Sequence, residues 1–377
     1  MNISMDQLLA KLLFKFKVSL RYLQSALLTL IWGPKGTINS SRLKLSKSVL
    51  RKLQYFNGVA LYNISVGVLF GGRIFTDRIS NVGLVLDKFL VEELSWQHSE
   101  GFFGQNKIFS FAPPIITTWP CSKSAQVTSL LTGGGGNYNI YHWLYDSLPR
   151  LQCISDAGCN PFAGLVLVPS LAFDFQKESL SCMGFQFSQL LSSELYSHVT
   201  SPSLWACSHP NPDDQNIPLW IIQFLRRSFL PYCQKPTSVG KRLYISRGDA
   251  VNARALRNEC ALLKSLFLGG FEIIRLSDYC FLEQVGMFEN AEMIVAPHGA
   301  GLAHLAFCDS RAHVVELLSD VHCPQMYASI AHKLGLRYSS LIGSSAGFDG
   351  SPHERDFTIS IQQIDFVIRQ LGLDSVI

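Results

Sequence analysis

The stretch from Ala291 to Leu318 allows few folds. Ala291 to Ala296 predicts a buried strand, Pro297-His298-Gly299-Ala300-Gly301 a tight loop, Leu302 to Phe307 a short apolar helix, and His313 to Leu318 a second buried strand. That is a βαβ unit with its glycines at the strand-to-helix turn. Glycine lets the backbone turn sharply and lets a ligand come close to the main chain, and the first NH groups of the helix have no intrahelical partner. Such a turn suits an anion, most often phosphate; the competing reading is a packing turn at which nothing binds.

The surroundings extend the unit. Strand Leu243 to Ser246 precedes Arg247, helix Arg254 to Phe267 precedes strand Phe271 to Arg275, helix Cys280 to Glu289 leads into the βαβ unit, and helix Cys323 to Leu334 precedes strand Tyr338 to Ile342. Strands and helices alternating over short links predict a mostly parallel sheet covered on both faces, whose ligands sit at the carboxyl ends of the strands. Arg247 and His298 each follow such an end, so both are expected at one crevice.

Upstream the pattern changes. Met5 to Trp32 reads as a basic amphipathic helix, with Leu9, Leu12, Leu13, Phe16, Leu20 and Leu23 on one side and Lys11, Lys15, Lys17 and Arg21 roughly opposite. Its longest uncharged run is short of the roughly 20 residues of a spanning helix. Peripheral contact of residues 5–32 with a membrane and packing on the protein's own body are both open. Gly33 to Ser46 reads as a linker. Val49 to Trp119 is β-rich, with strands at Val59 to Ile64, Val66 to Phe70, Gly83 to Leu86 and Ile108 to Phe111. After the glycine run Gly133 to Gly136, a helix is expected over His142 to Leu148, then strand Gly164 to Pro169 and helices near Phe175 to Met183, Ser188 to Leu195 and Trp220 to Leu230. The tail, Asp356 to Leu371, is expected to form a helix returning toward the first domain.

His142 and Asp146 are spaced i, i+4 and share a helix face, with Arg150 one turn on. The structural alternative is an Asp146–Arg150 ion pair beside a satisfied histidine. Composition narrows the rest. A chain of 377 residues, 47% apolar and 16% charged, suggests about two globular domains, and a net charge of +4 without a basic-aromatic stripe makes nucleic acid an unexpected partner. The ten cysteines form no Cys-x-x-Cys pair, so neither a structural metal nor a redox motif is indicated; buried thiols in a reducing compartment are expected, with a Cys153–Cys159 disulfide left open. The turn lacks the third glycine of a dinucleotide fingerprint, and no Walker sequence occurs. Gly343-Ser344-Ser345-Ala346-Gly347 matches a nucleophile elbow but leads into a turn, Phe348 to Pro352, and not a helix. No Asp-x-Asp is present, so a nucleotide diphosphate would be neutralised by Arg247 and turn NH groups, with Glu316 placed to accept from ribose hydroxyls.

Four blocks now carry a resemblance: Asn137-Tyr138-Asn139-Ile140-Tyr141-His142-Trp143-Leu144-Tyr145-Asp146 with Leu148-Pro149-Arg150; Leu243-Tyr244-Ile245-Ser246-Arg247; Phe281-Leu282-Glu283-Gln284-Val285; and Ile294-Val295-Ala296-Pro297-His298-Gly299-Ala300-Gly301-Leu302. Together, over about Gly133 to Ile342, the chain resembles glycosyltransferase family 61, which includes EGF-domain and dystroglycan O-GlcNAc transferases and plant xylosyl and arabinosyl transferases. His304 stands where members frequently carry Asn. The resemblance implies an α/β, GT-B-like fold of two Rossmann-like domains facing a cleft, an inverting transfer from a nucleotide-sugar donor, and neither metal nor cofactor. With the boundaries read from the pattern, the expected domains are 1–40 (helix and linker), 41–232 (acceptor side), 233–345 (donor side) and 346–377 (returning tail); the part before Gly133 lies outside the resemblance. It places Arg247, Glu283, Gln284, His298, Gly299, Ala300, Gly301 and Glu316 on the donor, and Asn137, Tyr138 and Trp143 on the acceptor side.

Inversion needs a base to take the acceptor hydroxyl proton. His142 is expected in that role, kept neutral by the helix N-terminus and oriented by Asp146; the reverse assignment, with Asp146 as base, is open. The expected partners are a nucleotide sugar of the UDP-sugar class and a glycan or lipid-linked glycan of a surface polysaccharide. The expected place is the cytoplasm or the inner face of its membrane. The competing class is a catalytically silent nucleotide-sugar- or carbohydrate-binding protein of the same fold; intact His142, Asp146 and Arg247 speak against it.

Overall fold

A computed structural model describes residues 19–21, 23–38, 48–56, 61–79, 81–97, 116, 118–132, 135–211, 213–248, 254–352, 354–360 and 362–363. Among these residues the strands form three sheets. The C-terminal one is all parallel, in the order Glu272–Ile274, Arg242–Ile245, Met293–Pro297, His313–Ser319, Arg337–Gly343. Numbered along the chain this is 2-1-3-4-5, a doubly wound order whose direction reverses between Arg242–Ile245 and Met293–Pro297. A crevice opens at the carboxyl end of such a reversal. The strand sequences explain the burial: Ile294, Val295 and Ala296, and Val314 through Leu318, have no exposed face because helices cover both sides.

The preceding half departs from the second Rossmann-like domain expected from sequence. Its central sheet is mixed, with Leu190–Ser192, Leu165–Val168, Val127–Ser129 and Leu204–Cys207 parallel, and Leu61–Leu69 and Val49–Phe56 added antiparallel. One face packs not on helices but on a seven-stranded sheet that includes Arg73–Thr76, Asn81–Leu86 and Phe89–Val91. The cause is local. Arg78 and Asp87 take positive φ (62° and 55°) in turns too short for a crossover helix, so the strands they join pair as hairpins.

Several boundaries differ from the sequence reading. The two strands expected at Val59 to Ile64 and Val66 to Phe70 are represented by one, Leu61–Leu69, while Val59, Ala60 and Ile108 to Phe111 lie outside the described residues. The helix expected over Ser188 to Leu195 is reduced to a 3-10 turn at Phe187–Gln189, and Leu190–Ser192 pairs in parallel with Val166–Val168 and so completes the sheet edge. The helix expected from Arg254 begins at Glu259, because Leu256 bridges Phe357. That bridge also corrects the tail. Phe357 and Ile359 bury at i, i+2 into the core of the C-terminal sheet, and Asp356 accepts from the backbone NH groups of Arg254 and Ala255, so residues 354–360 stay with the C-terminal half. The remainder of the expected helix lies outside the described residues. All ten cysteines are unpaired, Cys153 and Cys159 included.

The two halves share one apolar core, which runs from Trp143 and Leu225 to Phe281, Ala296 and Phe307. Polar contacts cross the same boundary. Glu178 Oε2 accepts from the NH of Phe281 at 2.6 Å, placing a carboxylate at the amino end of helix Phe281–Asn290. Within that helix, Gly286 passes against the loop that joins the halves. Alanine is ordinarily preferred over glycine inside a helix by about 1 kcal/mol, but here a Cβ would lie 1.9 Å from the Gln234 carbonyl oxygen. Overpacking of this kind costs about 1–3 kcal/mol and wins. Gly286→Ala is therefore expected to lower the thermal midpoint; a rise in Tm would show that the loop yields freely.

Candidate active site

The turn after Met293–Pro297 is held from three sides. Residues Ala300–Phe307 form a 3-10 helix buried along most of its length. Tyr145 donates its hydroxyl to the Ala303 carbonyl at 2.7 Å, Tyr327 donates to the Gly299 carbonyl at 2.7 Å, and Arg226 caps the far end through the Ala306 and Cys308 carbonyls at 2.8 and 2.9 Å. Arg226 thus serves carbonyls that the helix end leaves open, while Tyr327 adds a second bond to the Gly299 carbonyl, which also accepts from the Leu302 NH.

Arg247 reaches this turn as its position after Arg242–Ile245 requires, and its Nη1 donates to the His298 carbonyl at 2.9 Å. Gly299 is needed for that approach, since a Cβ there would lie 1.9 Å from Arg247 Nη1. A second guanidinium, Arg254, donates Nη2 to the same carbonyl at 3.3 Å, and its Nε is buried without a partner. Burial first, and then the charge of Arg247, pull the Arg254 pKa down to about 10. Sequence reading missed Arg254. It lies in a run with Arg247 and Arg257, and only its convergence on His298 singles it out.

The neighbouring acid does not face the crevice. Glu316 is fully enclosed; it accepts from His298 Nδ1 at 2.5 Å through one oxygen and from the Tyr338 hydroxyl through the other. The ribose contact expected of it is corrected accordingly: Glu316 orients His298. Burial, followed by the nearby guanidiniums, outweighs Glu316 and holds the His298 pKa below its ordinary value. Glu283 and Gln284 also have internal tasks. Glu283 accepts from the NH of Cys280 at 2.9 Å as part of a capping box, and Gln284 donates to the carbonyls of Leu276 and Tyr279 at 2.8 and 2.9 Å. Ala300 is half-buried, Gly301 packs against Leu276 and Ile245, and His304 is a core residue among Phe281, Phe288 and Phe307, its pKa pulled down to about 4 by burial.

The second cluster lies on the helical run from Ile140 to Asp156. Asn139 caps its start by accepting from the Tyr141 NH, and the middle, Trp143–Ser147, widens into a π-turn with the Leu148 NH bonded to the Trp143 carbonyl. Such widened turns concentrate at functional sites. His142 Nδ1 donates to Asp146 Oδ2 at 2.6 Å. The Asp146–Arg150 ion pair weighed against this arrangement is replaced by backbone contacts: Arg150 donates to the carbonyls of Asp146 at 3.0 Å and Cys207 at 2.7 Å.

Two further groups join this pair. His209 Nε2 lies 3.7 Å from Asp146 Oδ1, and Asp214, whose backbone carbonyl accepts from Tyr141, adds a second carboxyl. Burial raises the Asp146 carboxyl, but the charges of His209, His142 and Arg150 and the hydrogen bond from His142 hold it below the usual range. Asp214 moves oppositely, pushed up to about 7 by burial and then by the Asp146 charge. Two carboxyls with pKa values driven apart are a common acid–base device. Burial pulls His142 down, yet the Asp146 bond and charge, with Asp214 beyond, raise it overall. The neutral poise expected from the helix N-terminus is thus overridden by the carboxyls.

Of the acceptor-side residues, Tyr138 is exposed, Asn137 donates to the Arg78 carbonyl at 2.6 Å, and Trp143 is wholly buried with its Nε1 donating to Ser179 at 2.9 Å. Trp143 is a core residue and not an acceptor contact. The two clusters are neighbours: ring against ring, His142 meets Tyr141 (5.3 Å between centroids), Tyr141 meets Tyr327 (6.0 Å), and Tyr327 meets His298 (5.2 Å). No group of three or more His, Cys, Asp or Glu side chains suited to a metal ion occurs among the described residues. Asp146→Asn keeps the side-chain shape and removes the charge, so the His142 pKa is expected to fall. Ring-proton NMR across pH reads this directly; an unchanged or higher value would remove Asp146 as its determinant.

No curated protein matches the chain. The family model described as Glycosyltransferase 61 matches residues 140–315, which contain His142, Asp146, Arg247, Arg254 and the His298–Gly301 turn. Over that stretch, the chain is similar to glycosyltransferase family 61.

Proposed function

We propose that this glycosyltransferase moves a sugar from a UDP-class donor to a glycan hydroxyl with inversion and without a bound metal ion. The observation that carries the reading is the convergence of Arg247 and Arg254 on one peptide carbonyl at the carboxyl-end crevice of a doubly wound sheet. Two guanidiniums side by side repel each other, and a diphosphate at that turn would relieve the repulsion while accepting bidentate hydrogen bonds.

In the proposed step the acceptor oxygen attacks the anomeric carbon from the face opposite the diphosphate. The carbon–oxygen bond to phosphate breaks, its electron pair leaves with the diphosphate, and the hydroxyl proton passes to the His142 imidazole. Asp146, enclosed and held as carboxylate, orients the ring and stabilises the imidazolium. Arg247 and Arg254 stabilise the charge that grows on the leaving group, usually the largest contribution. The GT-B reading assigns residues 233–345 to the donor and 41–232 to the acceptor. For the acceptor we favour a surface polysaccharide or lipid-linked glycan, and for location the cytoplasm, which the ten unpaired thiols fit.

Calorimetric titration with UDP, with and without EDTA, tests the reading. Losing a hydrogen bond to a charged group costs about 1.5–3 kcal/mol, so Arg247→Ala and Arg254→Ala are each expected to weaken binding about ten- to a hundredfold. Unchanged affinity in both variants would remove the diphosphate from this turn, and binding abolished by EDTA would overturn metal independence.

A further inference from the structure

The helix at residues 19–32 uses one face to hold the protein and leaves the opposite face uncovered among the described residues. On the inner side Leu28 is buried, Ser25 donates to the Ile116 carbonyl at 3.3 Å, Thr29 accepts from the Ile116 NH at 3.1 Å, and Trp32 packs beneath the Arg73 guanidinium. Positions 25, 28, 29 and 32 are neighbours on a helix surface. Across the helix, Leu20, Leu23, Leu27, Leu30 and Ile31 form a continuous stripe that is 48–71% exposed. Single exposed leucines are ordinary on protein surfaces, but five in one stripe mark a contact surface.

Charge identifies the occupant. Between Asp6 and Asp77 the sequence contains no Asp or Glu, while eleven of its 32 Lys and Arg residues fall there. The rest of the chain is net acidic. The basic block therefore lacks countercharge within its own segment, and a second copy docking through the same segment would add like charge to like. An anionic bilayer supplies both what the stripe and the block require: an apolar boundary and negative headgroups.

We propose that the outward stripe of this helix docks the protein on an anionic lipid surface, the helix lying in the interface plane and the basic residues that flank it in sequence supplying the preference for negative headgroups. No helix among the described residues is long and apolar enough to cross a membrane, and an interfacial helix needs no such length. This surface is separate from His142 and Arg247, so its test is independent of the sugar-transfer reading.

The test is flotation of the full chain with vesicles of phosphatidylcholine alone and of phosphatidylcholine mixed with phosphatidylglycerol. The expected result is at least about a tenfold higher bound fraction on the anionic vesicles, as a few basic residues near a charged surface supply, and its loss in high salt. Leu23→Glu combined with Leu30→Glu, both at exposed positions, is expected to abolish flotation while UDP affinity and the circular dichroism spectrum stay unchanged. A second variant, Lys15→Glu with Lys17→Glu, is expected to reduce the anionic preference without touching the stripe. Absence of flotation, equal flotation on both vesicles, or a wild-type dimer in sedimentation that the leucine variant dissolves without any vesicle binding would each overturn the proposal.

Discussion

The closure of backbone carbonyls around the helix Ala300–Phe307 is the constraint on which both clusters depend. A 3-10 helix sunk in an apolar core would strand polar groups at its ends, and such groups are costly when unpaired. Side chains from distant elements bond its backbone: Arg226 from helix Leu219–Phe229 meets the need at the far end, and Tyr145 from the π-turn and Tyr327 from helix Met326–Leu334 pin the Ala303 and Gly299 carbonyls. Each donor is therefore fixed by the requirement it serves. Tyr145 sits one residue before Asp146, so satisfying Ala303 also fixes where the histidine–aspartate pair stands relative to the arginine turn.

The two clusters handle charge in contrasting ways. Around Asp146, imidazoles and a guanidinium surround one enclosed carboxylate, and a second carboxyl nearby is pushed toward neutrality. Around His298, cations gather and the acid is turned inward, where His298 and Tyr338 occupy it. One region can therefore take a proton near neutral pH, and the other can receive negative charge. The transfer proposed above, which would release a diphosphate and a proton, would call on both.

Much of the C-terminal sheet was legible because its strands are continuous apolar runs separated by helical periods, and such runs pair in few ways. Arg247 and His298 meeting at one crevice followed from strand ends alone. His142 and Asp146 meeting followed from i, i+4 spacing, which the π-turn leaves intact at that pair. What sequence missed depended on distant packing. Arg254, His209 and Asp214 gain meaning only from neighbours 44 or more residues away in sequence or on another element. Glu316, Gln284 and Trp143 were assigned to ligands because polar or aromatic residues in a motif invite it; each instead satisfies an internal partner. The antiparallel sheets of the first half resisted reading because short strands and turns specify hairpins but not which sheet each hairpin joins.

The shared His298 carbonyl sets the manner in which this site changes state. A peptide oxygen carries only a partial charge, so it is a weak competitor for a guanidinium compared with a phosphate oxygen. An arriving anion would compete for both guanidiniums against that shared acceptor. The carbonyl acts as a placeholder: it keeps two cations aimed at one point while holding each loosely. On the proposed reading, departure of the anion would return both arginines to the same oxygen, and the site would reset without rearranging the sheet that carries it.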